Sequence, residues 1–284
     1  MSTESEDPLF FVATHHTLAM SDSIALRVYS NTNPPNMKIA NLQKGLILLC
    51  NGNDVIGEGT GFGVPIVKYA DETVFSGSSF LYVRRHGTIA EVRKEFHMDL
   101  VARDRFRNLE LENLRVRTLF DYFSAFSHGH KHLARSILIA KGLIFKFGVK
   151  SGFKKSFHKG KVIVTYTMDR NKILVKLNFS RLNRTNLGKV FVLNEQGAHF
   201  FRNYTDSEGL RLVDEEIGVW DNVTAHSAKI TNMQNRIGFS LKNVEGSTLL
   251  RGRELMEGSL NWIGLDYELS PGNQHFEYEI ELFG

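Results

Sequence analysis

The sequence predicts an all-β protein: a large antiparallel β-sandwich with one or two short helices near residues 118–141. From residue 143 onward, almost every segment is apolar or alternating at strand length, and Gly, Asn and Ser clusters separate the segments. Helical spacing is convincing only between residues 118 and 141. The 284 residues suit one undivided sandwich, so a single domain over 1–284 is expected, with a possible boundary near 34–36 at Pro34-Pro35.

The first third contains strand-length segments at residues 9–12, 24–29 and 45–50. Asn51-Gly52 follows the last of these and precedes Val55-Ile56, and an Asn-Gly pair between apolar runs predicts a hairpin. Residues 91–101 mostly alternate with period two, which favours a strand over a helix.

The helical zone has two parts. Leu119, Phe120, Phe123 and Phe126 share one helix face, and the pattern repeats from Leu133 to Lys141 after a junction at Gly129.

The remainder predicts strands. Residues 162–167 and 173–179 flank a compact connection, which is typical of a hairpin. Residues 190–193 form a further strand. The last stretch places His275 and three glutamates opposite four apolar side chains, which predicts a half-buried strand with an acidic outer face.

Composition excludes several classes of protein. The lone Cys50 lies in an apolar run, so it is expected to be a core residue, and a disulfide scaffold is excluded. The acidic start of the chain is unlike a signal peptide, and no apolar run is long enough to cross a bilayer. We therefore expect a soluble cytoplasmic protein that does not act on membranes.

Charge is strongly separated along the chain. Residues 128–189 hold 15 Lys/Arg and one acid, whereas residues 190–284 hold 7 Lys/Arg and 15 Asp/Glu. Lys154 and Lys155, interleaved with phenylalanines, are candidate contacts for an oligosaccharide or another polyanion. The alternative is that Lys146, Lys150, Lys172 and Lys176 meet the acidic C-terminal strands across a sheet.

No cofactor is expected. The glycine cluster at residues 57–65 lacks the spacing of a dinucleotide fingerprint and has no Walker lysine, so a bulged edge on which Phe62 packs is the simpler interpretation. His128, His130 and His132 are the densest histidine group. They could bind metal on a strand, but a polar helix junction is simpler, and no HExxH or CxxC pattern accompanies them.

The acidic third holds the candidate sugar contacts. Trp220 with Asp221, and Trp262 with Asp266, each pair an aromatic plate with a hydrogen-bond acceptor, although tryptophans more often fill cores. Glu195 follows an apolar strand and precedes Gly197, a position that suits acid/base chemistry.

The C-terminal segment LSPGNQHFEYEIELFG (residues 269–284) resembles the closing strand of large β-sandwich sugar proteins. With the run of strands from residue 143, the chain is similar in outline to the galactose-mutarotase-like supersandwich, which also occurs in polysaccharide lyases and glycoside hydrolases. The resemblance covers about half the chain and implies a carbohydrate ligand. Mutarotases use a histidine and a glutamate, but no catalytic motif is matched here, and fold alone does not determine function.

The sequence thus predicts a carbohydrate-binding or carbohydrate-active protein, with an anionic sugar as one option. If it is an enzyme, His130 or His132 with Glu195 would be the acid/base pair. One alternative is a non-enzymatic protein that binds nucleic acid or an acidic partner through its basic middle, and another is a structural β protein with no small ligand.

Overall fold

The computed structural model describes residues 11–21, 23–32, 43–57, 59–70, 72–86, 89–103, 152–155, 159–256 and 260–284. These residues form an all-β structure of large antiparallel sheets, consistent with a β-sandwich, as the alternating segments predicted. The predicted helices near residues 118–141 and the possible boundary near 34–36 lie outside the described residues.

Twenty-one strands and one 3-10 helix (Asp214–Ile217) occur in the described ranges. The strands are β1 (Phe11–Ala13), β2 (His15–Ala19), β3 (Ile24–Tyr29), β4 (Asn31–Thr32), β5 (Ile47–Cys50), β6 (Asn53–Asp54), β7 (Gly61–Tyr69), β8 (Thr73–His86), β9 (Ile89–Arg103), β10 (Gly152–Lys155), β11 (Lys161–Asp169), β12 (Lys172–Asn178), β13 (Leu187–Gln196), β14 (Phe201–Asp206), β15 (Arg211–Val213), β16 (Asp221–Asn222), β17 (Ser227–Asn232), β18 (Gly238–Lys242), β19 (Ser247–Met256), β20 (Leu260–Leu269) and β21 (His275–Phe283).

Seventeen strands belong to one hydrogen-bonded network, which forms two layers. The first layer runs β1-β8-β9-β11-β12-β21-β18-β17-β14-β15. The second runs β7-β13-β20-β19-β16. The remaining two strands of the network, β4 and β10, pair with β8 and β9 of the first layer. The beginning of β8 pairs with β7 and joins the layers. All these pairings are antiparallel.

The core lies between the two layers, and aromatic side chains dominate it. Phe62 of β7 packs edge-on against Phe239 of β18, with ring centroids 5.0 Å apart. Tyr166 of β11 donates a hydrogen bond to the carbonyl of Phe62 at 2.8 Å. Tyr267 of β20 packs against Tyr278 of β21, with centroids 4.9 Å apart. A buried hydroxyl such as that of Tyr166 needs a hydrogen-bond partner, and aromatic rings prefer particular packing geometries. These contacts therefore fix the relative position of the two layers.

A separate four-stranded sheet, β2-β3-β5-β6, packs against the core of the two layers. The predicted hairpin at Asn51-Gly52 joins β5 to β6, and both residues have the positive φ that such a turn requires (49° and 77°). Cys50 of β5 is buried in the main core, as expected.

Lys94 of β9 ties the small sheet to the first layer. It points inward between Val92 and Phe96 and is only 1% exposed. Its ammonium donates to the carbonyl of Tyr29 at 2.7 Å and to that of Lys44. Burial lowers the pKa of Lys94 to about 7.

The glycine cluster leads into β7, the end strand of the second layer, but at Phe62 the backbone is paired on both sides, so the prediction of an open edge there is wrong. β7 pairs with β13, and Phe62 also bridges to Leu46. Gly61 and Gly63 have φ values of 83° and 77°, and the β7–β13 register shifts beside them, so the predicted bulge is present. Phe62 is fully buried, as predicted.

No helix in the part of the chain that the structure describes is long and apolar enough to cross a membrane.

Candidate functional site

A groove lies on the outer face of the first layer, the face turned away from the core. Its volume is about 730 Å³. Four neighbouring strands, β9, β11, β12 and β21, supply its floor. Six ionisable side chains line it: Glu91, Arg93, Lys176, Arg181, His275 and Glu277. Ile163, Thr165 and Asn178 are also among its lining residues.

The strand register explains why these side chains meet. Residues directly opposite each other in antiparallel strands point to the same face. One row across the sheet is Arg93, Thr165, Lys176 and Glu277, and the next row is Glu95, Ile163, Asn178 and His275. The groove is therefore built by pairings between segments that are distant in sequence.

Most charges in and around the groove are paired. Lys176 contacts Glu277 at 2.9 Å. Arg93 and Lys161 both contact Glu95. Burial would raise the pKa of Glu95, but hydrogen bonds from Lys161 and Arg93 outweigh it, so the pKa of Glu95 is lowered and the carboxylate is ionised.

Arg181 differs from these paired groups. Its side chain is exposed on the connection after β12, and no side-chain hydrogen bond or ion pair involves it among the described residues. A guanidinium presents five N–H donors in a planar fork that matches a carboxylate. Arg181 therefore gives the groove an anion-binding group that no residue in the described part of the chain neutralises.

His275 and Glu277 place an imidazole and a carboxylate side by side in the groove. They are two residues apart on β21 and so project from the same face of the sheet. Imidazole and carboxylate are the groups most often used for general acid–base chemistry near neutral pH.

The basic middle of the chain meets the acidic C-terminal strands, as the alternative prediction held for Lys172 and Lys176. Lys172 contacts Glu279 at 2.8 Å and Lys176 contacts Glu277. Lys189 contacts Glu268 at 2.6 Å in the second layer. Lys146 and Lys150 lie outside the described residues.

Glu195 and Asp266, two of the predicted site residues, are neighbours in the second layer. They are 5% and 1% exposed. A Cβ built on Gly264 would lie 3.0 Å from the Glu195 Cγ and 3.3 Å from the Asp266 Oδ1, so the two side chains flank this glycine. Strand alternation places them on the face of β20 opposite Tyr267, away from the first layer.

Backbone amides hold both carboxylates. The amide of Thr60 donates to Glu195 Oε2 at 3.0 Å, and the amide of Asn194 donates to Asp266 Oδ1 at 2.6 Å. Burial raises the pKa of Glu195 to about 7, against the lowering effects of Thr60 and Lys44. Burial and the charge of Glu195 raise the pKa of Asp266 well above its usual range. The pair therefore retains a proton that exposed carboxyls would lose.

Asn194 connects this pair to the core. Its side-chain oxygen accepts from the amide of Gly63 at 3.1 Å and from the Tyr278 hydroxyl at 2.5 Å, and its nitrogen donates to the carbonyl of Leu265 at 3.1 Å. These bonds satisfy the side chain at full burial.

The two tryptophans also come together, with ring centroids 5.8 Å apart. Trp262 is 6% exposed and donates to Glu254 at 3.2 Å. Trp220 is half-buried, has a φ of 60° and packs against Phe191. Asp221 is exposed and 3.4 Å from Arg251. Neither tryptophan lines the groove.

The remaining predicted site residues cannot be placed beside these. His130 and His132 lie outside the described residues, as does His128. Lys154 and Lys155 belong to β10, whose backbone pairs with Val101 and Leu100 of β9. The roles assigned to all of them, and to Glu195, Trp220, Asp221, Trp262 and Asp266, stay predictions.

Sequence reasoning did not identify the groove, although the signal was present. The sequence pattern predicted both the acidic outer face of β21 and the alternating lysines of β12. What was missing was the neighbour on the other side: β9 lies next to β11, so Glu91 and Arg93 join the same face.

No protein-family model matches the chain, and no curated protein matches it. It is similar to the crystal structure of the Slr1438 protein from Synechocystis sp. PCC 6803, with 7% sequence identity, a TM-score of 0.37, and coverage of 100% of this chain and 98% of that one. It is also similar to HI1317, with 6% identity, a TM-score of 0.35, and coverage of 95% and 99%. Likenesses this distant do not identify a family.

Proposed function

We propose that the groove on the outer face of the first layer binds an acidic carbohydrate. The observation that carries the proposal is the side chain of Arg181, a guanidinium without a partner among the described residues, in a groove of about 730 Å³ that ionisable side chains line. Sugars carry many hydroxyls, and each needs a donor or acceptor. Asn178, Thr165, Glu91 and His275 provide both kinds of group around the cation.

The resemblance to galactose-mutarotase-like supersandwich proteins supports the same ligand class. Several charges of the basic middle are engaged with acids of this chain, which reduces the field available to a long nucleic acid. A ligand that needs one cation and several hydrogen bonds fits such a surface better than one that needs a continuous basic stripe.

Isothermal titration calorimetry with galacturonate oligomers tests the proposal, with the neutral galactose series as the comparison ligand. Arg181→Ala should weaken oligouronate binding at least tenfold, because a charge-assisted hydrogen bond contributes about 1.5–3 kcal/mol. Arg211→Ala is the matched control, since this arginine is also exposed but lies on β15, outside the groove.

The proposal is wrong if the parent protein binds no acidic sugar, or if the Arg181 and Arg211 variants bind equally well. Binding of neutral galactosides alone would keep the groove as a sugar site but remove the requirement for an anionic ligand.

A further inference from the structure

We infer that the ligand is an oligosaccharide and that Phe80 and Tyr82 form an aromatic platform for its far end, an inference that rests on the proposed function. The platform lies on β8, the strand next to β9, and so extends the groove across one more strand. Nothing in the groove itself requires a ligand longer than one sugar. The exposed ring of Phe80 beyond it would give a longer ligand a further contact.

The register places both aromatic side chains on the face of the groove. Tyr82 is directly opposite Arg93, and Phe80 is directly opposite Glu95. Since Arg93 and Glu95 begin the two rows that end at Glu277 and His275, each row continues onto an aromatic ring. Leu81, between them in sequence, points into the core instead.

Both rings are held in place by neighbouring side chains, and Phe80 remains exposed. Phe80 is 43% exposed and meets the His97 ring edge-on, with centroids 5.1 Å apart. The guanidinium of Arg93 lies 5.7 Å from the centroid of the Tyr82 ring. An exposed aromatic ring beside a ligand groove offers a flat apolar surface on which a sugar face can stack.

The dimensions suit a chain of sugars. The platform on β8 and the far wall on β21 are the two ends of five adjacent strands, β8-β9-β11-β12-β21, and the four inter-strand steps span about 19 Å. That is several pyranose units laid across the strands. Along this path, aromatic side chains lie on β8 and paired charges on β9. Arg181 lies on the connection after β12, where its carbonyl accepts from the amide of Lys161 at the start of β11.

The occupant is therefore an oligouronate with a carboxylate near Arg181 and the apolar C–H face of a distal sugar on Phe80. Sugar faces are apolar while their edges carry hydroxyls, so stacking on a ring and hydrogen bonding to Glu91 or Asn178 can occur together.

The test measures dissociation constants for galacturonate oligomers of increasing length, from the monomer to the pentamer. In the parent protein the affinity should rise with length until the chain reaches β8. Phe80→Ala should weaken the pentamer by roughly three- to tenfold and leave the monomer unchanged, as expected for one aromatic contact. Phe80→Tyr should bind like the parent.

Leu210→Ala is the matched control, because Leu210 is 42% exposed but lies outside the groove. Affinity that does not depend on length, or an equal loss for all lengths in Phe80→Ala, would overturn the platform. If Arg181→Ala still weakens every oligomer in that case, the proposed function stands without it. If Arg181→Ala has no effect at any length, the proposed function fails first.

Discussion

The outer faces of the two layers hold their charges in opposite ways. On the first layer, Lys176 and Glu277 are exposed partners that a ligand can separate, and Arg181 has no partner among the described residues. On the second layer, Glu195 and Asp266 are buried side by side and bound by backbone amides. The Glu195–Asp266 pair resembles an active site in its chemistry, but both carboxyl groups are already bound by backbone amides. The availability of a charged group, more than its type, distinguishes a binding surface from a structural cluster.

We expect the largest effect at Lys94, because this side chain is almost fully buried and its ammonium is hydrogen-bonded to two backbone carbonyls. Lys94→Ala removes the donor for the carbonyls of Tyr29 and Lys44 and leaves a cavity. The free energy of unfolding should fall by about 3–5 kcal/mol, measured by urea denaturation. Lys94→Met should lose less, since it fills the space. Lys242→Ala, at an exposed position, is the control, and a loss below about 1 kcal/mol in Lys94→Ala would contradict the assigned role.

Glu195→Gln sharpens the comparison through pH. The pKa of Glu195 in the folded protein, about 7, lies above the usual glutamate value. Below about pH 4.5 the carboxyl is protonated in both the folded and the unfolded state. Between pH 4.5 and 7 the unfolded state has lost this proton while the folded state still holds it, so stability falls as the pH rises. The parent should therefore lose stability between these values, by on the order of 3 kcal/mol. The glutamine variant, which can still accept from Thr60, should lose less, because Asp266 is then the one member of the pair that titrates above its usual range.

Unfolding curves at pH 4.5 and pH 8 measure this difference. Glu281→Gln is the control, because Glu281 is an exposed glutamate on β21. Parallel pH profiles for the parent and Glu195→Gln would mean that the pair titrates as ordinary carboxyls.

Lys189→Ala gives the smallest effect. Its contact with Glu268 is a partly exposed ion pair, and such pairs contribute about 0–1 kcal/mol that salt screens further. Thermal unfolding in low and high salt should show a small loss that vanishes with added salt. A large loss of thermal stability that persists in high salt would contradict the distinction between exposed ion pairs, which a ligand can separate, and buried groups that the backbone holds.

Local pattern predicted much of the fold. Alternation identified β9, β11, β12 and the acidic β21, and Asn51-Gly52 identified its hairpin, because periodicity and turn chemistry are properties of short segments. The burial of Glu195 was not predicted. Its strand continues to Gln196, and the amide of Thr60 that holds it comes from a segment 135 residues away. The groove was missed for a similar reason, since it depends on which strands become neighbours.

One spectrum compares the two faces directly. In protein labelled at histidine and tryptophan, nuclear magnetic resonance reports the His275 imidazole in the groove and the indoles of Trp220 and Trp262 on the second layer. On addition of a galacturonate pentamer, the signal of His275 should shift while both indole signals stay in place. Shifts confined to the indoles, with the His275 signal unchanged, would place the ligand at the tryptophan cluster and contradict the assignment of the groove.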